Sequence, residues 1–198
     1  METAVKNFIV EPCLRSEIES FIEINHYSHN LNGVKTQYCF KLMDKDKLIG
    51  AMVLAKLGMA GVWKKYAEDE SLVIELRRLV CIDDTPKNTE SFFIGKVLRW
   101  LIKNTKILTV VSYADKTYGH SGVIYKASNF TFTGETAPGR MIRLGERLYH
   151  DKTIRTYYKG ELKPYAKKIQ EALITGEAFY VKTLSKNIYV MNLKRKNH

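Results

Sequence analysis

The sequence contains no apolar run of 18 residues, and its opening METAVKNFIV has no basic-then-apolar leader pattern. It therefore reads as a soluble, unexported chain with no membrane partner and a cytoplasmic location. Cysteine is scarce: Cys13, Cys39 and Cys81 are odd in number, far apart and without a C-x-x-C, which excludes a disulfide framework and a zinc frame. There is no internal repeat and no low-complexity linker. Acidic residues are outnumbered, 21 Asp+Glu against 32 Lys+Arg, for a net charge of +11. The excess is uneven: residues 1–139 carry 18 basic and 16 acidic side chains, whereas residues 140–198 carry 14 and 5. At 198 residues and 45% hydrophobic, the chain suits one globular core. A near-neutral core spans 1–139, and a basic, Tyr-rich extension spans 140–198. The extension is expected to complete the sheet and contact a polyanion, unless it is a solvated basic face.

Periodicity predicts an α/β (α+β) chain. Residues 5–12 read as a first strand. Ser16 and Glu19 have the spacing of a capping box ahead of a helix with Ile18, Phe21 and Ile22 on one face. Strands follow over Gln37–Met43 and Leu48–Leu57, joined by the charged turn Asp44–Lys47. In the strand Leu72–Ile82, simple alternation puts Leu72, Ile74, Leu76, Arg78 and Val80 on one face, with Glu75 and Arg77 on the other. A helix to about Lys103 repeats apolar pairs from Phe93/Ile94 onward. Another strand covers Ile107–Val111, followed by strands at Thr131–Thr133 and Arg140–Arg143 and a helix from Pro164.

The stretch with the densest chemistry follows Val111. Ser112, Tyr113, Asp115, His120 and Tyr125 fall within fourteen positions, after a strand and across a Gly-bearing turn, where open α/β sheets place their sites. Tyr125 on a short helix is equally the pattern of an amphipathic core residue.

The order strand, helix, three strands, helix, strand, helix, strand resembles the GNAT acyltransferase fold, with a mixed, mostly antiparallel central sheet. Ile124–Phe130 is similar to the L-Y-x-x-x-G-F segment of that family, with Asn129 in the glycine position. The resemblance implies Tyr125 as general acid. It also implies a pyrophosphate-binding loop before the long helix. Here that loop reads Lys87-Asn88-Thr89-Glu90-Ser91 with no glycine before Gly95, so the cofactor-binding candidates are Lys87, Asn88, Thr89 and Ser91 and the Gly-dependent approach of coenzyme A is missing. Three segments resemble a narrower family, the Mom group of phage DNA-modification proteins. They are His26-Tyr27-Ser28; Glu75–Leu79 with Pro86–Ser91; and Ser112–Asp115 with Gly119–Gly122 and Ile124-Tyr125. The resemblance covers roughly residues 20–135. It implies an enzyme that converts the exocyclic amine of adenine in phage DNA to a carbamoylmethylated form, protecting the DNA from host restriction, and it implies the host cytoplasm if the chain is phage-encoded.

That amine is conjugated with the purine ring and is a poor nucleophile, so a base must take its proton as it attacks. The catalytic candidates are His26, Tyr27, Ser112, Asp115, His120 and Tyr125: histidines as base, Asp115 as orienter, Tyr125 or Ser112 as proton donor. Other readings stay open. His26 and His29 can bond the last carbonyls of a helix, and His26, His29, Asp115 and His120 can form a metal set. A duplex hides the target atom, so the partner is double-stranded DNA with a flipped adenine. Tyr27, Trp63, Tyr66 and Tyr118 offer stacking faces. Arg78, Arg140, Arg143, Arg147, Lys194, Arg195 and Lys196 offer phosphate contacts, Arg78 alternatively a buried ion pair. An acyl-CoA or an activated glycine such as glycyl-tRNA can serve as donor, and the chain as monomer or homodimer. The alternatives are an ordinary GNAT N-acyltransferase on a small amine or protein, and a non-catalytic DNA-binding protein.

Overall fold

The computed structural model describes residues 5–194 and divides into two compact units. The first comprises residues 5–114, 120–134 and 187–194; the second comprises 115–119 and 135–186. The chain runs β1 (Ile9–Cys13), α1 (Arg15–Asn25), β2 (Thr36–Asp44), β3 (Lys47–Ala55), β4 (Val73–Cys81), α2 (Thr89–Asn104), β5 (Thr109–Asp115), α3 (Val123–Ala127) and β6 (Thr131–Glu135). The remaining elements are β7 (Arg140–Leu144), β8 (Arg147–His150), β9 (Tyr157–Tyr158), β10 (Glu161–Leu162), α4 (Pro164–Thr175), β11 (Ala178–Lys182) and β12 (Lys186–Asn192). Among the described residues no helix is long and apolar enough to cross a membrane.

The first unit is built on a seven-stranded sheet of order β1-β2-β3-β4-β5-β12-β6, antiparallel through β4 and parallel from β4 to β5. One face carries the larger core, where Phe40, Leu42, Met52, Leu54, Ile74 and Leu76 meet Phe93, Val97 and Leu101 of α2. The opposite face packs Ile18 and Ile22 of α1 on Ala51, Val53 and Ala55. The helix α1 starts one position before the anticipated box. The Glu17 carboxylate, not Glu19, accepts the Leu14 N–H at 2.6 Å, while Glu19 pairs with Arg15. Leu14 has no side-chain acceptor, so half of the box is missing.

Strand β4 departs from the alternation. Its pairing with β3 slips between Val53 and Leu54, so Val53 faces Arg78 while Leu54 faces Leu76. The extra residue, Arg77, is a β-bulge. Because one added residue swaps faces for everything beyond it, Arg78 and Val80 leave the Leu76 face and join Glu75 on the α1 side, as their partners Val53, Ala51 and Ala55 show. The ladder between β4 and β5 ends at Leu76 opposite Ser112, although both strands continue.

The last strand inserts between β5 and β6, and its Tyr189 is wholly buried in the main core rather than belonging to a solvated aromatic tail. Its hydroxyl donates to the Ser121 carbonyl at 2.7 Å. Gly122, at φ +82°, leads into α3, and a Cβ there would lie 2.2 Å from the Tyr189 ring. Overpacking a buried ring and forcing a left-handed alanine should together cost about 2–3 kcal/mol. Gly122→Ala is therefore expected to melt well below the parent in a thermal scan; an unchanged midpoint would contradict this packing.

The second unit holds the three-stranded antiparallel sheet β11-β7-β8, the short hairpin β9-β10 and the helix α4. Its own core consists of Ile142, Ile169, Ala172 and Ala178. Lys116 pairs with Glu135 at 2.6 Å, and Ser185 donates to the same carboxylate at 2.6 Å.

Candidate active site

The end of α1 supplies the first group. His26 follows the helix, and its backbone N–H still bonds Ile22 at 2.9 Å. Its buried ring turns back on the next turn: the Ser28 N–H donates to Nδ1 at 3.0 Å, and the Ser28 hydroxyl lies 2.8 Å from the same nitrogen. An Nδ1 that accepts an N–H bond carries no proton, so the ring is the neutral Nε2–H tautomer. Burial pulls the imidazole down to about 4, helped by the nearby Arg78 charge. His26 is thus a hydrogen-bond donor and not the base expected from its type. His29 behaves differently, with its exposed ring bonding the Glu23 carbonyl at 2.9 Å.

This geometry has a stability consequence. The His26 value in the folded chain lies below the ordinary 6.5. Between the two values the unfolded chain binds a proton that the native chain refuses. The contribution is complete above pH 6.5 and falls by about 3 kcal/mol as the pH drops to 4. Urea unfolding at pH 4.5 and 7 should show a smaller acid loss for His26→Gln than for the parent.

Tyr27 brings the second group alongside. Its ring centroid is 4.2 Å from that of His26 and 4.8 Å from that of His120, and the ring is 38% exposed. His120 is itself exposed. Tyr125 lies in the core wall behind them, on α3, packed on Phe130 and Tyr189. Burial pushes its phenol up to about 12, opposed by a hydrogen bond with Ser112, with Tyr27 and Glu75 also close enough to act on it. Ser112 is fully buried and donates to the Leu76 carbonyl at 3.2 Å, at the last paired position of β4 and β5.

Glu75, Arg77 and Tyr113 fall in segments that the sequence marked, but they were not among the catalytic candidates. Glu75 is only 5% exposed; its carboxylate takes Arg77 at 2.9 Å on one oxygen and the Gly58 N–H at 3.1 Å on the other. It also acts on Arg78, Tyr113 and Tyr125. Burial raises the Tyr113 phenol, and Tyr66 hydrogen-bonds it. The signal available was a lone carboxylate inside the apolar run Leu72–Ile82, which burial alone would make costly. Arg78 is anchored inward, donating to the Asn30 carbonyl at 3.3 Å and the Arg77 carbonyl at 2.9 Å. It is accordingly a wall of this site and stands apart from a phosphate-tracking surface.

The sheet thus brings together His26, Tyr27, His120, Tyr125 and Ser112. Asp115 is engaged elsewhere. Its carboxylate, pulled up by burial but held below its usual range by Lys186 at 2.7 Å, also accepts the Thr117 N–H at 3.0 Å. The orienting role expected of Asp115 has no histidine partner here. The metal set fares no better: among the described residues no group of three or more His, Cys, Asp or Glu stands close enough to hold an ion, and His29 and Asp115 are turned to other partners.

The loop before α2 fits a pyrophosphate poorly. Pro86 offers no N–H, Glu90 puts a carboxylate in the first turn, and the left-handed position is Asn88 at φ +70°. The Thr89 hydroxyl is buried and donates to Pro86 at 2.7 Å, and that of Ser91 donates to Asn88 at 3.0 Å. Lys87 and Asn88 are exposed. Of the expected DNA-contacting residues, Arg140 and Arg143 lie on β7 and Arg147 on β8. The Arg140 guanidinium sits 4.1 Å over the Tyr180 ring. Lys194 is exposed after β12, while Arg195 and Lys196 lie outside the described residues.

Comparison with known proteins bears on the family and the fold. A family model described as the Mom protein family matches residues 7–198. The methylcarbamoylase Mom of Escherichia phage Mu is 37% identical over 90 residues, 44% of this chain and 36% of that protein. The match thus spans about a third of the length of that curated relative. An acetyltransferase of Bacillus subtilis in complex with CoA superposes with a TM-score of 0.53 at 12% identity, covering 94% of this chain and 99% of that one. A GNAT family acetyltransferase of Elizabethkingia anophelis with acetyl-CoA bound gives 0.51 at 11% identity, again covering 94% and 99%. At such identities the superpositions speak for the fold, and the fold is that of the GNAT acyltransferases.

Proposed function

This chain belongs to the Mom protein family, and we propose that it is a transferase acting on the exocyclic amine of adenine in DNA, yielding an N6-carbamoylmethyl-type base that host restriction does not cut. The observation that carries this reading is the convergence of a neutral His26 donor, the exposed Tyr27 ring, His120 and the Ser112-bonded Tyr125 phenol beside the end of the β4–β5 ladder. In this reading an extruded adenine stacks on Tyr27. The Nε2–H of His26 bonds a ring nitrogen, which holds the amine in line. With Nδ1 of His26 committed to Ser28, the proton of the attacking amine passes to His120. Tyr125, protonated at all working pH values, donates to the departing group. The basic residues 140–198 present the DNA.

The product's linkage constrains the donor. Simple acyl transfer cannot join nitrogen to a CH2 group. Transfer of a glycyl group to the adenine amine, releasing the donor alcohol, gives an amide with a free terminal amine. That amine attacks C6 through a five-membered intermediate and expels the amide nitrogen, leaving the carbamoylmethylamine. An activated glycine such as glycyl-tRNA meets this need and does not require the α2 loop to hold a pyrophosphate.

Nucleoside mass spectrometry on DNA from expressing cells tests the function. A mass increase on deoxyadenosine is expected, and His26→Ala should abolish it. Unmodified DNA together with a CoA-dependent thermal shift would instead select an ordinary acyltransferase of a small amine or protein. Salt-sensitive DNA binding alone would select a non-catalytic binding protein. Growth on 15N-glycine should label the nitrogen attached to C6; label confined to the terminal amide would eliminate the glycyl route.

A further inference from the structure

One face of the second unit has the composition of a buried surface and the exposure of a free one. Register across β11-β7-β8 sets Phe179 opposite Arg143 opposite Leu148, and Val181 opposite Met141 opposite His150. The alternate residues Ile142 and Ala178 bury against Ile169 and Ala172 of α4, so the first six share the other face. A sheet face turned to water normally alternates to polar side chains. Here Phe179 is 55% exposed and Leu148 48%, with the Arg143 guanidinium on the strand between them and no carboxylate among the six.

We propose that this open face binds an unpaired stretch of DNA. The base planes lie on Phe179 and against Leu148, and Arg143 takes the intervening phosphate. The inference rests on the DNA substrate proposed above and adds a second surface that holds it. Charge chooses the occupant: residues 115–119 and 135–186 carry 12 Lys+Arg against 7 Asp+Glu. A second copy of a chain of net charge +11 would be repelled. A paired duplex hides the base planes that an exposed ring and its apolar neighbours would cover, whereas an opened strand offers them. The expected DNA-contacting arginines are also divided by the register. Arg143 lies on this face, whereas Arg140 and Arg147 stand opposite Lys182 and Leu144 on the α4 side.

Fluorescence anisotropy of the full chain with a labelled single-stranded oligonucleotide, and with the duplex of the same sequence, tests this. Phe179→Ala should weaken single-strand binding about tenfold with an unchanged salt slope, and Phe179→Tyr should retain it. Arg143→Gln should weaken binding and reduce the slope of log affinity against log salt by about one unit. Phe179 is mostly exposed, so the alanine variant should fold; if it does not, Arg143→Gln and Phe179→Tyr carry the test. Single-strand affinity unchanged in Phe179→Ala, or duplex affinity reduced equally, would overturn the proposal. So would a concentration-dependent dimer in sedimentation that Phe179→Ala dissolves. Nucleoside mass spectrometry on the same preparations keeps the readings apart: unmodified DNA from the parent refutes the function, while intact modification with unaltered strand binding in the variants refutes this face alone.

Discussion

Tyr125→Phe is expected to lower adenine modification by about 10²–10⁴-fold, the range over which a positioned proton donor acts, while the melting temperature stays within a degree or two. The substitution keeps the ring that packs on Phe130 and Tyr189, so the core wall is preserved. It also leaves Ser112 its bond to the Leu76 carbonyl. Only the phenolic hydroxyl is removed, with its interaction with Ser112, and its proton is what the proposed reaction asks of the residue. Single-turnover modification of an adenine-containing oligonucleotide, paired with a thermal scan, reads both halves. Full activity in the phenylalanine variant would reduce Tyr125 to a packing residue. A collapse of stability would mean that the hydroxyl is structural.

Glu75→Ala should cost about 3 kcal/mol of stability, because it strands the Arg77 guanidinium and the Gly58 N–H that the carboxylate now satisfies. In a chain of this size that corresponds to a fall of roughly 6–12 °C in Tm. Activity should fall further than stability explains, since Glu75 also acts on Arg78, Tyr113 and Tyr125 in the wall of the site. Glu75→Gln keeps an acceptor and the side-chain volume while losing the charge, so it should melt between the parent and the alanine variant. Equal melting of all three proteins would remove Glu75 from the framework. Calorimetry supplies the comparison.

As far as β7 the succession of strands and helices was legible because each element obeys its own period, whereas the strands from β8 to β12 were not anticipated among the interleaved lysines and tyrosines. The hairpin from Thr36 to Ala55 turns at Lys45-Asp46, where charge interrupts two apolar runs, and the Phe93, Val97 and Leu101 stripe buries as its spacing requires. The short helix bearing Tyr125 was legible from a local motif. The faces of β4 were not, since a bulge inserts a residue without any mark in the alternation of Leu72–Ile82, and Arg78 therefore lands opposite to expectation. Nor was the protonation of His26, which is fixed by an N–H two residues on, by burial and by the charge of Arg78, 52 positions later. Asp115 had the right type and neighbourhood, but a lysine 71 positions later claims it. Tyr189 looked like its aromatic neighbours among the lysines, and only the pairing of β12 distinguishes it.

The insertion of residues 186–192 between β5 and β6 has a consequence for synthesis. A nascent polypeptide that has emerged as far as β6 cannot zip up its central sheet, because the strand that belongs in the gap has not yet been translated. Such a fragment leaves two unsatisfied strand edges and the cavity that Tyr189 should plug, and long-range closures of this kind form late. The sheet beside the candidate site is thereby left incomplete until residues 186–192 have been made.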